Sequence, residues 1–146
     1  KYFSVFIDHY TNYCYVELHK TKDEFEKTFI KFMKVANNVH MPNKIAYVHS
    51  DNALQTQNMS KVCEEYGITQ ILTAPYSSEQ NGLAERTIRT LSESAQALRH
   101  NSGLPKTFWG YAIKYANTIR NHIPRYYTYK NPKYNKHNII RFFTFN

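Results

Sequence analysis

Two carboxylates in this sequence stand where chemistry on phosphate could be done. Asp51 follows the run Lys44-Ile45-Ala46-Tyr47-Val48-His49, which reads as a short buried strand, so Ser50-Asp51-Asn52 falls at the strand's carboxyl tip. In open α/β sheets, ligands and reacting groups gather at such tips. Glu85 comes after Ala74 to Gly82, a stretch with Pro75, two serines, Asn81 and Gly82 and no apolar periodicity, which reads as a surface loop. A helix is expected directly after it, because Ala84, Ile88, Leu91, Ala95 and Leu98 recur at steps of four, three, four and three and share one stripe. Glu85, Arg89 and Ser92 lie off that stripe. Together the two carboxylates are hard oxygen donors of the kind that hold Mg²⁺ against phosphate oxygens. A purely structural reading is equally available: an acid in the first turn of a helix complements the macrodipole, and Glu85 with Arg89 makes an i,i+4 pair. The residue types alone leave both readings open.

The elements that must position these groups can be traced along the chain. Tyr2 to Ile7 and Tyr13 to Leu18 are rich in aromatic and β-branched residues and flank Asp8-His9-Tyr10-Thr11-Asn12, an antiparallel hairpin. Thr21 and Glu24 have capping-box spacing, and Phe25, Phe29, Phe32 and Ala36 repeat at helical spacing behind them. That helix turns Lys22, Lys27, Lys31 and Lys34 outward, as a solvated face or as contacts to nucleic acid. Met59, Val62, Cys63 and Tyr66 give a short helix stopped at Gly67, and Ile68 to Leu72 a further strand. The Glu85 helix ends near Asn101-Ser102-Gly103, and Pro105 opens another in which Phe108, Ala112, Ala116 and Ile119 are expected to face inward. Trp109 fits a packing aromatic better than a base-stacking platform. The order is strand, strand, helix, strand, helix, strand, helix, helix, a layered α/β arrangement.

With 146 residues the chain is the size of one domain, and 42% hydrophobic and 16% aromatic content excludes a disordered tail. Nineteen Lys and Arg against eleven Asp and Glu leave a net charge of +8, which points to a polyanionic partner. No apolar run approaches the length of a transmembrane helix and no signal peptide opens the sequence, so an intracellular protein without a membrane partner is expected. Cys14 and Cys63 each sit in an apolar pattern and read as buried thiols in a reducing compartment. None of the seven histidines has the spacing to a cysteine pair that a tetrahedral zinc site needs.

His49-Ser50-Asp51-Asn52, then Ser77-Ser78-Glu79-Gln80-Asn81-Gly82-Leu83-Ala84-Glu85-Arg86-Thr87-Ile88-Arg89-Thr90-Leu91, then Phe108-Trp109-Gly110-Tyr111-Ala112, closely resemble the integrase catalytic core of copia-type LTR retrotransposons, and look most like a yeast element. The resemblance spans roughly residues 1–124, and several separate motifs occur in the family's order. It implies an RNase H-like α/β fold. It also implies that Asp51 and Glu85 are the second and third members of an Asp, Asp, Glu triad that binds Mg²⁺ or Mn²⁺ for DNA strand transfer. DNA and other integrase chains are the implied partners, with no small-molecule substrate and with the nucleus as the place of action. Arg86, Arg89 and Lys106 could then meet DNA phosphates, or be surface charges on helices.

Two departures from the family pattern bear on activity. The family's first catalytic aspartate lies on a strand ahead of the segment matching Tyr2 to Asp8, before residue 1 of this sequence. Asp8 resembles a different family aspartate, one that closes the second strand and shapes a turn. Asp51 and Glu85 are also 34 positions apart, slightly closer than is usual in the family, and Ala53 stands where members usually carry Gly. The expectation is therefore an RNase H-like fold lacking its first strand, and a truncated, inactive core in which binding of the metal ion is impaired. The alternatives are a working nuclease completed by Asp8 or Glu17, and a non-enzymatic module that binds nucleic acid or integrase.

Residues 125–146 are built almost wholly from Tyr, Lys, Asn, Ile and Phe, show no period, and are expected to be a divergent, degenerate extension of the 1–124 core. A basic aromatic tail for single strands is the other reading. With the central strand missing, its neighbours would expose unpaired backbone, so poor solubility or partial folding is expected.

Overall fold

The structure, a computed structural model, describes residues 2–8, 11–21, 24–39, 45–50, 56–72, 78–123 and 138–145. Its elements are β1 (Tyr2–Asp8), β2 (Cys14–His19), α1 (Phe25–Val39), β3 (Ile45–Ser50), α2 (Gln57–Glu65), β4 (Thr69–Leu72), α3 (Ser78–Asn101), α4 (Trp109–His122) and β5 (Asn138–Phe145), with a 3₁₀ turn at Lys106–Phe108 before α4. The five strands form one sheet in the order β2-β1-β5-β3-β4.

The middle of that sheet differs from the expectation drawn from periodicity. Asn138 to Phe145, expected to be part of a degenerate extension, forms the central strand, antiparallel to β1 and parallel to β3. Ile139-Ile140-Arg141-Phe142-Phe143 is rich in β-branched and aromatic residues but lacks the alternation that marks a half-buried strand, so periodicity does not reveal it. The backbone edges of β1 and β3 are therefore paired, and the reason for expecting poor solubility is removed.

β1 is buried on both faces. Phe3, Val5 and Ile7 point to one side and Phe6 to the other, and all are buried. On the Phe6 side, α1 supplies Phe25, Phe29, Phe32 and Met33, and α2 supplies Met59 and Cys63, to a core that also holds Ile45 and Val48 of β3. Phe6 stacks on Phe32 with ring centroids 4.5 Å apart and planes within 8°. On the other face, Ala84, Ile88, Leu91 and Ala95 of α3 and Ile113 and Ala116 of α4 cover Phe3, Val5, Ile7, Cys14 and Val16. The result is a sheet with a pair of helices on each face.

The hairpin, α1 and α2 follow the sequence expectation closely. Thr56 caps α2 by accepting the Met59 N–H at 3.1 Å, and Gly67 ends the turn that follows with φ +65°. The Thr21/Glu24 capping box forms only in part: the Glu24 carboxylate accepts the Lys20 N–H at 2.9 Å, whereas Glu24 N–H meets the Thr21 carbonyl rather than its hydroxyl. On α4 the buried residues are Gly110, Ile113, Ala116 and Arg120; of the four expected to face inward, Ala116 is buried and Ala112 packs partly against the core, whereas Phe108 and Ile119 do not. Phe108 and Ile119 are 41% and 38% exposed, because the Gly110 backbone seats the helix against Leu18, where a Cβ would come to 2.8 Å. Trp109 packs against Phe3 at 6.3 Å between centroids, as expected of a core aromatic.

Candidate metal and nucleic-acid site

β3 ends at Ser50, and Asp51 lies outside the described residues. What can be followed is the support immediately ahead of it. Ser50 is fully buried, and its hydroxyl accepts the side-chain amide of Gln70 on β4 at 3.1 Å. Gln70 went unnoticed in the sequence; the parallel pairing of Val48 with Gln70 and of Ser50 with Leu72 is what sets its side chain beside the tip. The strand tip that leads into Asp51 is therefore held from its neighbour as well as by its own ladder.

Glu85 sits on α3 and is exposed. The helix begins at Ser78, so Ser78 to Gly82, expected to be loop, are its first turns, and Glu85 is two turns inside. At that depth the helix dipole contributes little, since its effect fades beyond the first turn. Among the described residues no ion pair joins Glu85 to Arg89; the pairs formed are Lys31 and Lys114 with Glu17. The structural reading of Glu85 thus loses both of its supports. Its carboxylate is turned to solvent beside Arg86 and Arg89, on the side of α3 away from the core stripe of Ala84, Ile88, Leu91 and Ala95.

Arg86 and Arg89 share this exposed flank, one turn apart. Lys106 does not join them. It lies past the end of α3, and fifteen helical residues separate Arg86 from Asn101, about 22 Å at 1.5 Å per residue. A groove of about 460 Å³ between α3 and α4, lined by Thr90, Ser94, Leu98, Ala116 and Ile123 among others, does not include Glu85.

The two carboxylates considered as further metal ligands, Asp8 and Glu17, are engaged elsewhere. Asp8 accepts the Thr11 N–H at 3.0 Å and the Thr11 hydroxyl, which is the turn-shaping role read from the sequence. In register it stands opposite Ile140, while Phe6, two residues earlier, stands opposite Phe142. Continuing the pairing of His49 with Arg141 brings Ser50 level with Phe142, so Asp8 lies two strands across and two residues along from the β3 tip. Glu17 is on the edge strand β2, bonded to Lys31 at 2.7 Å and to the Tyr15 hydroxyl at 3.0 Å. Burial alone would raise the Glu17 pKa, but these two hydrogen bonds and the charges of Lys114 and Lys31 hold it below the ordinary value. It serves as an anchor between β2, α1 and α4.

The strand between β1 and β3 carries no carboxylate in its sequence; its one charged residue is Arg141, paired in register with His49. Carboxylates such as those of Asp51 and Glu85 are hard oxygen donors that suit a divalent cation in kind. Among the described residues no group of three His, Cys, Asp or Glu side chains is placed to hold a metal ion.

No protein-family model matches the chain. It is 31% identical over 124 residues to the retrovirus-related Pol polyprotein from transposon RE1 of Arabidopsis thaliana, covering 85% of this chain and 8% of that polyprotein. The chain thus spans about a twelfth of the length of this curated relative. In structure it is similar to the catalytic core domain of BIV integrase, with a TM-score of 0.64, 15% identity, and 93% of this chain and 80% of that one covered. It is also similar to the HTLV-2 integrase catalytic core domain solved in complex with magnesium in a dimeric form, with a TM-score of 0.60, 20% identity, and 82% and 74% covered. At these identities the structural likeness concerns the fold, which is RNase H-like.

Proposed function

The chain belongs to the integrase catalytic-core family of copia-type retrotransposon Pol polyproteins, and from that premise we propose that it binds DNA as an integrase core without itself joining strands. The observation that carries this reading is the composition of the central strand: between β1 and β3, where the fold brings a strand alongside the Asp51 tip, the sequence supplies Arg141 and no carboxylate. Asp51 and Glu85 would hold a divalent ion. That ion, when bound, supplies a Lewis acid that activates an attacking hydroxyl and stabilises charge on the phosphate. Two ligands leave it loosely fixed, and positioning is the larger part of the rate in such displacements. Arg86 and Arg89 remain free to meet phosphates from the exposed flank of α3, and the net charge of +8 favours a polyanion. The nucleus is the proposed place of action.

Association with other integrase chains has its own support. Leu104 and Phe108 ahead of α4, Tyr111, Tyr115 and Ile119 on it and Ile123 just after it are exposed at steps of four, three, four, four and four, with Tyr111 at 74% and Tyr115 at 59%. An apolar and aromatic stripe of this kind on a helix is unusual for a surface that meets only water.

The test is a pair of assays on the same protein. DNA affinity is measured against salt, and cleavage and joining of DNA ends are measured with Mg²⁺ and Mn²⁺, for the parent chain, Asp51→Asn and Glu85→Gln. Binding that weakens steeply with salt, is unchanged by both substitutions and is accompanied by no turnover is the expected result. Metal-dependent cleavage that both substitutions abolish would show a working enzyme, and absence of DNA binding would remove the reading altogether.

A further inference from the structure

We propose that the β2 edge of the sheet carries a second DNA-backbone contact surface, a band of lysines from α1 and α4 that holds a duplex segment of its own, apart from Arg86 and Arg89. The proposal rests on the reading of this chain as a DNA-binding core, and adds to it a surface to which neither Asp51 nor Glu85 belongs.

Helix geometry lays the band out. Phe25, Phe29, Phe32, Met33 and Ala36 bury one side of α1, and at about 100° per residue Lys27, Lys31 and Lys34 fall on the opposite side, where all three are exposed. From Lys27 to Lys34 the helix rises about 10 Å, the rise of about three base pairs of duplex. Lys31 carries the band over the sheet edge. It bonds Glu17 of the edge strand β2 at 2.7 Å, and Lys114 of α4 reaches the same carboxylate at 3.7 Å from the other face of the sheet. One carboxylate thus draws two ammonium groups together, and with their side chains 60% and 47% exposed both still face solvent.

The acids nearest the band are engaged. Glu24 accepts the Lys20 N–H at 2.9 Å, and Glu26 is turned to the α2 flank, where it accepts the Thr56 hydroxyl at 3.0 Å. Among the described residues the ion pairs are those of Glu17, and neither Lys27 nor Lys34 takes part in one. Cations in excess along one edge attract a polyanion, and lysine, a compact point charge, suits phosphates rather than base edges.

This band is separate from the α3 flank. Thr90, Ser94 and Leu98 are on the side of α3 that lines its groove with α4, and helical phase puts Glu85 and Arg89 on the flank turned away from α4. α4 itself is seated on β2, where Asn117 and Asn121 bond the Cys14 carbonyl. It therefore stands between the two basic surfaces, and each is open to its own segment of DNA.

The test counts duplexes. The full chain is titrated at low salt, where phosphate contacts are strongest, with a duplex of about 12 base pairs, and the number bound per chain is read by sedimentation. Three double variants are compared with the parent. Lys27→Gln with Lys34→Gln weakens the band while leaving the Glu17 anchor intact, Lys27→Arg with Lys34→Arg keeps its charge, and Arg86→Gln with Arg89→Gln removes the α3 contacts. The expected result is two duplexes per chain for the parent and the lysine-to-arginine variant, and one for each glutamine variant. One duplex per parent chain, or two that survive Lys27→Gln with Lys34→Gln, would overturn the proposal and leave the α3 reading standing. No binding by the parent would overturn both. Sedimentation of the DNA-free proteins is run alongside; a change of oligomeric state in the lysine-to-glutamine variant would show that this face meets protein, and would also overturn the proposal.

Discussion

The side-chain amide of Asn121 meets both backbone groups of Cys14: its oxygen accepts the Cys14 N–H at 3.0 Å and its nitrogen donates to the Cys14 carbonyl at 2.7 Å. β2 is an edge strand, and this amide does at its first residue what a further strand would do, closing part of the edge against pairing with another chain. Asn117, one turn earlier on α4, donates to the same carbonyl at 2.8 Å. Among the described residues the carbonyl thus has donors from both Asn117 and Asn121, whereas the N–H is met by Asn121.

Asn121→Leu should therefore destabilise the fold by about 1–3 kcal/mol, chiefly through loss of the acceptor for the Cys14 N–H. Asn117→Leu should cost less, because the Asn121 donor remains. Urea unfolding of the two variants checks the order, and equal losses would contradict this account of the edge.

Gly82 lies inside α3, at ordinary negative φ, and a Cβ built there meets nothing within 4 Å. Gly82→Ala should stabilise the protein by about 0.5–1 kcal/mol, through helix propensity and a less flexible unfolded chain. The same substitution in a loop that required glycine would destabilise. A thermal melt therefore also reports whether the helix runs ahead of Glu85.

Tyr15 and Glu17 couple stability to pH at both ends of the range. Burial first, then its hydrogen bond to Glu17 and the negative charge there, push Tyr15 from 10.0 up to about 12. A raised value in the folded state gives stability that is whole below pH 10 and lost as pH rises toward 12. Tyr15→Phe should flatten that alkaline decline relative to the parent. Glu17 is shifted downward, so its contribution is present above the ordinary 4.5 and lost as pH falls through the lower folded value. Lys31→Met should reduce the acid-side loss by less than about 1 kcal/mol, since the Lys31 side chain is 60% exposed and well screened. Melting temperature against pH for the three proteins checks both limbs.

Arg86→Gln and Arg89→Gln should each weaken DNA binding across sequences and lower the salt slope by about 0.9, the release expected for one phosphate contact on B-DNA. Lys106→Gln, about 20 Å along α3 from them by helix rise, tests whether the footprint extends to the α3–α4 turn. An unchanged slope in the two arginine variants would place the contact elsewhere on the surface.

Residue spacing by itself determined most of what lies between Tyr2 and Leu91. The hairpin, α1, α2, β3, β4 and the apolar stripe of α3 follow from periods of two and of 3.6, because each is an amphipathic or apolar segment whose burial is a property of its own residues. The family was legible for a different reason, the resemblance of the motifs around Asp51, Glu85 and Trp109. Three things were decided by the tertiary structure. The inward face of α4 turned because a glycine at position 110 let the helix approach Leu18, a contact with a residue some ninety positions away. Asp8 and Glu17 could not be judged as ligands until the register put Asp8 away from the β3 tip and three neighbours claimed Glu17. The central strand was the least legible of all. A run such as Ile139 to Phe143 has the same composition whether it decays, dangles or pairs, and only the gap between β1 and β3, formed by residues far from it in sequence, selects the third.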